Sequence, residues 1–190
     1  MAERGIVVIV SGLAASGKST LARRLAEELG LRLYSGGEVL KSIASKRGFS
    51  PTPNRWWESE EGMRFLTLRE SDHSIDKECD EMLLERAREG NVVIDSWVIP
   101  WLLEGGLKIW LKASRSVRAE RLSKRSGLPP HQAEGILAER DDRNIKLYKA
   151  LYGVEIGSDF EPFHLVIDTS YISADKVFSI ALSAVKAFYP

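Results

Sequence analysis

Gly12-Leu13-Ala14-Ala15-Ser16-Gly17-Lys18-Ser19-Thr20 decides how the rest of the chain is read. It meets the pattern G-x-x-x-x-G-K-[ST] at every fixed position. Upstream, Gly5-Ile6-Val7-Val8-Ile9-Val10 is an uninterrupted β-branched run, the mark of a strand buried on both faces. Downstream, Leu21 to Leu29 carries apolar residues at helical spacing and stops at Gly30. A strand, a glycine turn and a helix are the setting in which such a loop cradles phosphate. The glycines let successive N–H groups turn inward at the positive end of a helix. The pattern predicts that Gly12, Ala14, Ala15, Ser16, Gly17, Lys18, Ser19 and Thr20 surround the phosphates of a nucleoside triphosphate. Lys18 would bring a mobile cation to the outer phosphates. Ser19 would offer its hydroxyl to Mg2+, which prefers oxygen ligands. A plain glycine turn is the bland reading, and both flanks speak against it.

Bulk composition narrows the rest. A chain of 190 residues suits one α/β domain with insertions, and 44% hydrophobic residues can fill its core. With 27 basic and 27 acidic residues the net charge is zero, which disfavours a broad electrostatic grip on nucleic acid. The single cysteine, Cys79, excludes an internal disulfide, and three scattered histidines give no zinc pattern. The first apolar run is short and leads into the glycine loop, so it reads as a core strand rather than an export signal. No stretch is long enough to span a bilayer, and a cytoplasmic location is expected.

Beyond the loop, Leu31 to Tyr34 reads as a short strand and Glu38 to Lys46 as a helix closed by Gly48. The turn Ser35-Gly36-Gly37 between them leaves room for a ligand beside the backbone. Ser50 to Asn54 breaks regular structure ahead of Trp56-Trp57. Neighbouring residues cannot share a face of a regular helix or strand, so one ring is expected exposed, while the pair anchors an inserted subdomain. Asp72, His73 and Asp76 read as a solvated helix face. Ile75 to Glu89 shows a helical apolar stripe closed by Gly90, and Asn91 to Asp95 reads as a buried strand ending in a carboxylate. Asp95 at that place is the usual partner of Mg2+ in proteins with such a loop.

A fourth strand, Leu107 to Leu111, precedes a helix on which Arg118, Arg121 and Arg125 share one face. Like charges one turn apart repel, so a polyanion is expected to neutralise them. Ser126 to His131 breaks the chain before a long polar helix that starts near Gln132 and ends at Gly153. The two helices read as a hinged cover over phosphates. His164 to Ser170 is a fifth strand, and Ala174 to Phe188 a closing helix. Strands alternating with helices predict a five-stranded parallel sheet wrapped on both faces, with ligand at the carboxyl ends of the strands.

With the loop, the Ser35-Gly36-Gly37-Glu38 turn, the Val117 to Gly127 segment and the Arg140 to Gly153 helix in order, the chain resembles the short archaeal cytidylate kinases. These belong to the nucleoside monophosphate kinase branch of P-loop proteins. The likeness covers most of the chain and is strongest in Leu107 to Ala113 with Val117 to Leu122, and in Tyr148 to Ile156. It implies one kinase domain over 1–190, with an acceptor-binding subdomain near 36–72 and a lid near 121–147. It also implies transfer of the γ-phosphoryl group of ATP to CMP or dCMP; a monomer without nucleic-acid or membrane partners is expected, with a dimer left open. Ser19 and Asp95 would organise Mg2+, Arg121 would stack on adenine, and Arg125 would reach phosphate. Arg140 and Arg143 would serve transfer from the lid, and Ser35, Gly37 and Lys41 would hold the acceptor. The chain departs from its relatives at three places where arginine is usual: Lys41, Trp97 and Leu147. Two other functions remain open: a P-loop kinase for a metabolite hydroxyl, as in shikimate or gluconate kinases, and an ATP-dependent switch or assembly factor.

Overall fold

The computed structural model describes residues 5–190. Strand β1 (Val7–Gly12) leads into helix α1 (Lys18–Leu29), β2 (Arg32–Ser35) and α2 (Gly36–Lys46). A single 3-10 turn (Trp56–Glu58), α3 (Glu60–Ser71) and α4 (Ser74–Glu89) form the next layer. Then come β3 (Val92–Asp95), the short α5 (Ile99–Leu102), β4 (Leu107–Lys112), α6 (Arg115–Ser126), α7 (Pro130–Tyr152), β5 (Leu165–Asp168) and α8 (Ala174–Phe188). No helix among the described residues is long and apolar enough to cross a membrane.

The five strands form one parallel sheet in the order β2-β3-β1-β4-β5. Chain connections therefore leave β1 in opposite directions, and a crevice opens above its carboxyl end. Register does the rest: Val10 of β1 lies beside Asp95 of β3, and Ser35 of β2 pairs with Asp95. The ends of three strands thus meet at the start of the glycine loop.

Two cores sandwich the sheet. On one face α1 and α8 pack Leu21, Leu25, Val177 and Val185 onto Val8, Val10 and Ile109. On the other, α2, α3 and α4 pack Ile43, Phe65, Ile75 and Leu83 onto Ile9, Val92 and Ile94. The apolar runs read as strands are buried on both faces in β1, β3 and most of β4. Helix α3 is an element the apolar pattern does not announce. Its buried positions include Gly62 and Arg69 beside Phe65 and Leu66, so its inward face is not an apolar stripe.

Two expectations are corrected. Asp76 is not on a solvated face: it is fully buried and binds the Arg69 guanidinium by two hydrogen bonds, at 3.0 and 2.6 Å. The rings of Trp56 and Trp57 touch edge to face at 4.7 Å between centroids, because the 3-10 turn folds one over the other. Trp56 is buried, its indole N–H donating to Glu61, and Trp57 is half-buried.

Candidate active site

The glycine loop is built by backbone conformation. Gly12 has φ 151°, Ala15 φ 60° and Gly17 φ 103°. A Cβ on Gly12 would lie 2.5 Å from the Leu111 carbonyl oxygen and 2.6 Å from Ser16 Oγ, so no larger residue fits. Ser16 Oγ is buried without a partner among the described residues, inside a loop whose curvature turns donors inward. Such a cradle suits an anion with several oxygens.

At the loop's rim, Ser19 Oγ donates to Asp95 Oδ2 at 2.6 Å, and Ser35 Oγ lies 3.4 Å from the same oxygen. A hydroxyl and a carboxylate at this spacing are hard oxygen donors of the kind Mg2+ takes while keeping waters. Lys18 Nζ stands 5.7 Å above the Trp97 ring. Burial lowers its pKa from the ordinary lysine value; Asp95 opposes this, and the Arg140 and Arg125 cations add to it. An anion arriving among these three cations relieves their repulsion.

A cavity of about 240 Å³ runs from Ala14, Lys18 and Ser19 past Ser35, Gly37 and Lys41 to a floor of Arg69, Cys79, Asp80 and Tyr148. Pro53 to Glu58 and Arg125, Arg140 and Asn144 close it from above. Lys41 Nζ donates to Glu38 Oε1 at 3.0 Å and to the Pro53 carbonyl at 3.1 Å. On the floor, Arg69 is held charged by Asp76 despite its burial, and its Nη2 lies 3.4 Å from the Tyr148 hydroxyl. Asp80 accepts from the Tyr152 hydroxyl at 2.9 Å. Burial raises the pKa of Asp80 to about 7; the Tyr152 bond opposes this rise, and nearby Asp76 adds to it. Near neutral pH this carboxyl can both donate and accept a hydrogen bond. Cys79 is pushed well above the usual thiol range by burial and is no nucleophile.

A second cavity of about 500 Å³ lies on the other side of the loop, lined by Gly17, Thr20, Arg24, Arg121, Thr169 and Val177 among others. Arg121 bridges the loop to the end of β5: Nη1 donates to Ser16 O and Thr169 Oγ1, and Nη2 to Thr169 O. Arg125 lines both cavities.

Two of the arginines singled out in the sequence lie outside both cavities. Arg118 is buried and paired with Asp141 at 2.6 Å, its Nη1 also donating to Ala14 O. Its charge is neutralised from α7, not by a ligand. Arg143 is not among the cavity-lining residues; it ties α7 to α3 through two bonds to Glu70 and one to Thr67. Arg125 and Arg140 both donate to Glu58 Oε1, at 3.0 and 2.6 Å. Ala14, Ala15, Lys18 and Ser19 of the loop line one cavity with Ser35, Gly37, Lys41, Asp95 and Arg140. The sequence pattern does not mark Arg69, Asp80 or Glu58 as lining residues, and it marks Trp57 only as one of an anchoring pair. A signal existed for Asp80 and Asp76: they stand one turn apart in phase with buried Cys79 and Leu83, a place where charge implies a partner.

Comparison with known proteins adds lineage to geometry. A cytidylate kinase of Pyrococcus horikoshii is 37% identical over all of this chain and 93% of its own length. That of Pyrococcus furiosus is 38% identical over 97% of this chain and 91% of its own length. Among solved structures, a shikimate kinase from Acinetobacter baumannii matches with a TM-score of 0.56 at 20% identity, covering 96% of this chain and 94% of its own. An uncharacterised protein from Eubacterium ventriosum matches at 0.64 and 15%, covering 97% and 99%; both show a shared fold. The model of the cytidylate kinase-like family matches residues 7–171, and this chain belongs to that family.

Proposed function

We propose that this protein transfers the γ-phosphoryl group of ATP to the phosphate of CMP or dCMP. One observation carries the reading: a single cavity joins the rim of the phosphate loop, at Lys18 and Ser19, to a second wall at Ser35, Gly37 and Lys41. Two substrates can therefore meet in one enclosure, in a chain of a kinase family. Loop amides and Lys18 hold the ATP phosphates. Arg121 and Thr169 border the cavity for the adenine, and Arg125 reaches toward phosphate. Ser19 and Asp95 would hold Mg2+, which neutralises phosphate charge when bound.

An oxygen of the acceptor's phosphate attacks the γ-phosphorus. The new O–P bond forms as the bond to the β,γ-bridging oxygen breaks, and ADP leaves. The attacking oxygen is already anionic, so positioning and cations do most of the catalysis. Lys18 and Arg140 face the transferring group, while Trp57 and the lid exclude water. Arg143 braces the lid against α3. Asp80, with its donor-and-acceptor edge, faces the acceptor's far end. The protein is read as acting in the cytoplasm on small molecules, as a monomer or a dimer.

A metabolite hydroxyl is the second reading. It is favoured by Trp97, which places a ring and not a cation beside Lys18. ADP release measured with CMP, dCMP, UMP, AMP and common hydroxyl metabolites separates the two. Release dependent on CMP or dCMP supports the main reading; release only with a hydroxyl metabolite replaces it.

A further inference from the structure

The segment from Pro53 to Glu58 does something that phosphate binding alone does not explain. It is held rigidly from behind: Trp56 is buried against Phe65, and Ser59 caps α3 while donating to the Trp56 carbonyl. A Cβ on Gly62 would sit 2.0 Å from that carbonyl oxygen, so the turn is locked onto α3. Its outer residues face the cavity. The Glu58 side chain is 4% exposed, and one of its oxygens accepts from both Arg125 and Arg140. The Arg140 guanidinium also lies over the Trp57 ring, 5.9 Å from its centroid.

A carboxylate oxygen shared by two guanidinium groups at a phosphate channel occupies the chemical place of a phosphate oxygen. We infer that Glu58 is a positioning residue that holds Arg140 and Arg125 in reserve and yields them to phosphate once the acceptor is bound. The link to the acceptor is Lys41, which donates to the carbonyl of Pro53 at the other end of the same segment. An anion at Lys41 competes with that carbonyl, and the phosphate so placed displaces the Glu58 carboxylate from the arginines by a side-chain movement, while the turn itself stays locked on α3. Without acceptor, the arginines stay engaged, and water is not offered a fully charged transfer site. The inference rests on the phosphotransferase reading, and it makes Glu58 a brake on attack by water: O–P bond formation from water, loss of ADP and release of a proton.

The test is Glu58→Gln, with Glu58→Asp as the charge-retaining control. ADP release from ATP is measured with and without CMP, and affinity for a non-hydrolysable ATP analogue by calorimetry. Glu58→Gln is expected to raise acceptor-free release about tenfold and to tighten analogue binding several-fold, with Glu58→Asp near wild type on both. Thermal unfolding of each variant checks that it folds. Unchanged analogue affinity together with an unchanged ratio of acceptor-free to CMP-dependent release overturns the inference. So does a parallel loss of both activities, the mark of a mere strut. Analogue affinity does not depend on acceptor identity. A wild-type protein inert toward every nucleoside monophosphate would therefore defeat the proposed function, while the analogue affinity of Glu58→Gln would still decide the role of Glu58: tighter binding supports it and unchanged binding overturns it.

Discussion

The two walls of the cavity are made of different material. On the donor side, the phosphate loop is shaped by backbone: Gly12 and Gly17 at positive φ, a buried strand behind and a helix ahead. On the side proposed for the acceptor, the shape comes from side chains far apart in sequence. Arg69 is held by Asp76, Asp80 by Tyr152, Lys41 by Pro53, and Arg140 by Glu58. A backbone-built site is the same for any protein that keeps its few small residues. A side-chain-built site can be re-cut by single substitutions, so specificity resides there while the fold stays constant.

The strongest break of this comparison acts on the donor wall. Lys18→Ala should lower kcat about a thousandfold or more whichever acceptor is used, since it removes a charge aimed at the transferring group. Steady-state ADP release measures it, with unfolding unchanged. On the acceptor wall, Arg69→Ala should act first on the fold. It leaves the Asp76 carboxylate buried and unpaired, at a cost of about 3–5 kcal/mol in denaturant unfolding. The contrast between a donor variant that folds and does not turn over and an acceptor variant that unfolds early is what the two materials imply.

This contrast also explains what could be read in advance. The strands, α1, α4, α8 and the loop follow from local pattern, since β-branched runs and glycine positions carry their own physical reasons. Ion partners are another matter. Arg118 stands in a run of cations, and nothing near it in sequence reveals that Asp141 lies within 2.6 Å. Asp76 differs in part: its phase with Cys79 and Leu83 marks an inward position, but nothing near it in sequence reveals that its partner is Arg69 of α3. Helix α3 itself escapes notice because its inward face carries Arg69 and Gly62 in place of an apolar stripe. Trp56 and Trp57 are legible as an anchor, but not the 3-10 turn that sets their rings edge to face and brings Glu58 to Arg125 and Arg140.

Smaller effects sharpen the acceptor side. Lys41→Ala should raise the acceptor KM about tenfold and leave the ATP KM within about twofold, as expected for one lost charge-assisted contact. An unchanged acceptor KM would remove Lys41 from the acceptor site. A pH effect at Asp80 acts on stability and not on turnover. Its folded pKa, about 7, lies above its ordinary 3.8, so between these values the folded state binds more protons than the unfolded one. Stability therefore falls as pH rises through this window and stays lower above it. Asp80→Asn should flatten that dependence, narrowing the difference in melting temperature between pH 5 and pH 8; an undiminished difference would place the titration elsewhere.

The central claim is that both walls serve one transfer. It is tested most directly by following the γ-phosphoryl group itself, with isotope-labelled ATP, CMP and Mg2+, and resolving the products by 31P NMR. The account predicts label in the β-phosphate of CDP in step with ADP formation. Label found in inorganic phosphate alone, at the same rate with and without CMP, would contradict it.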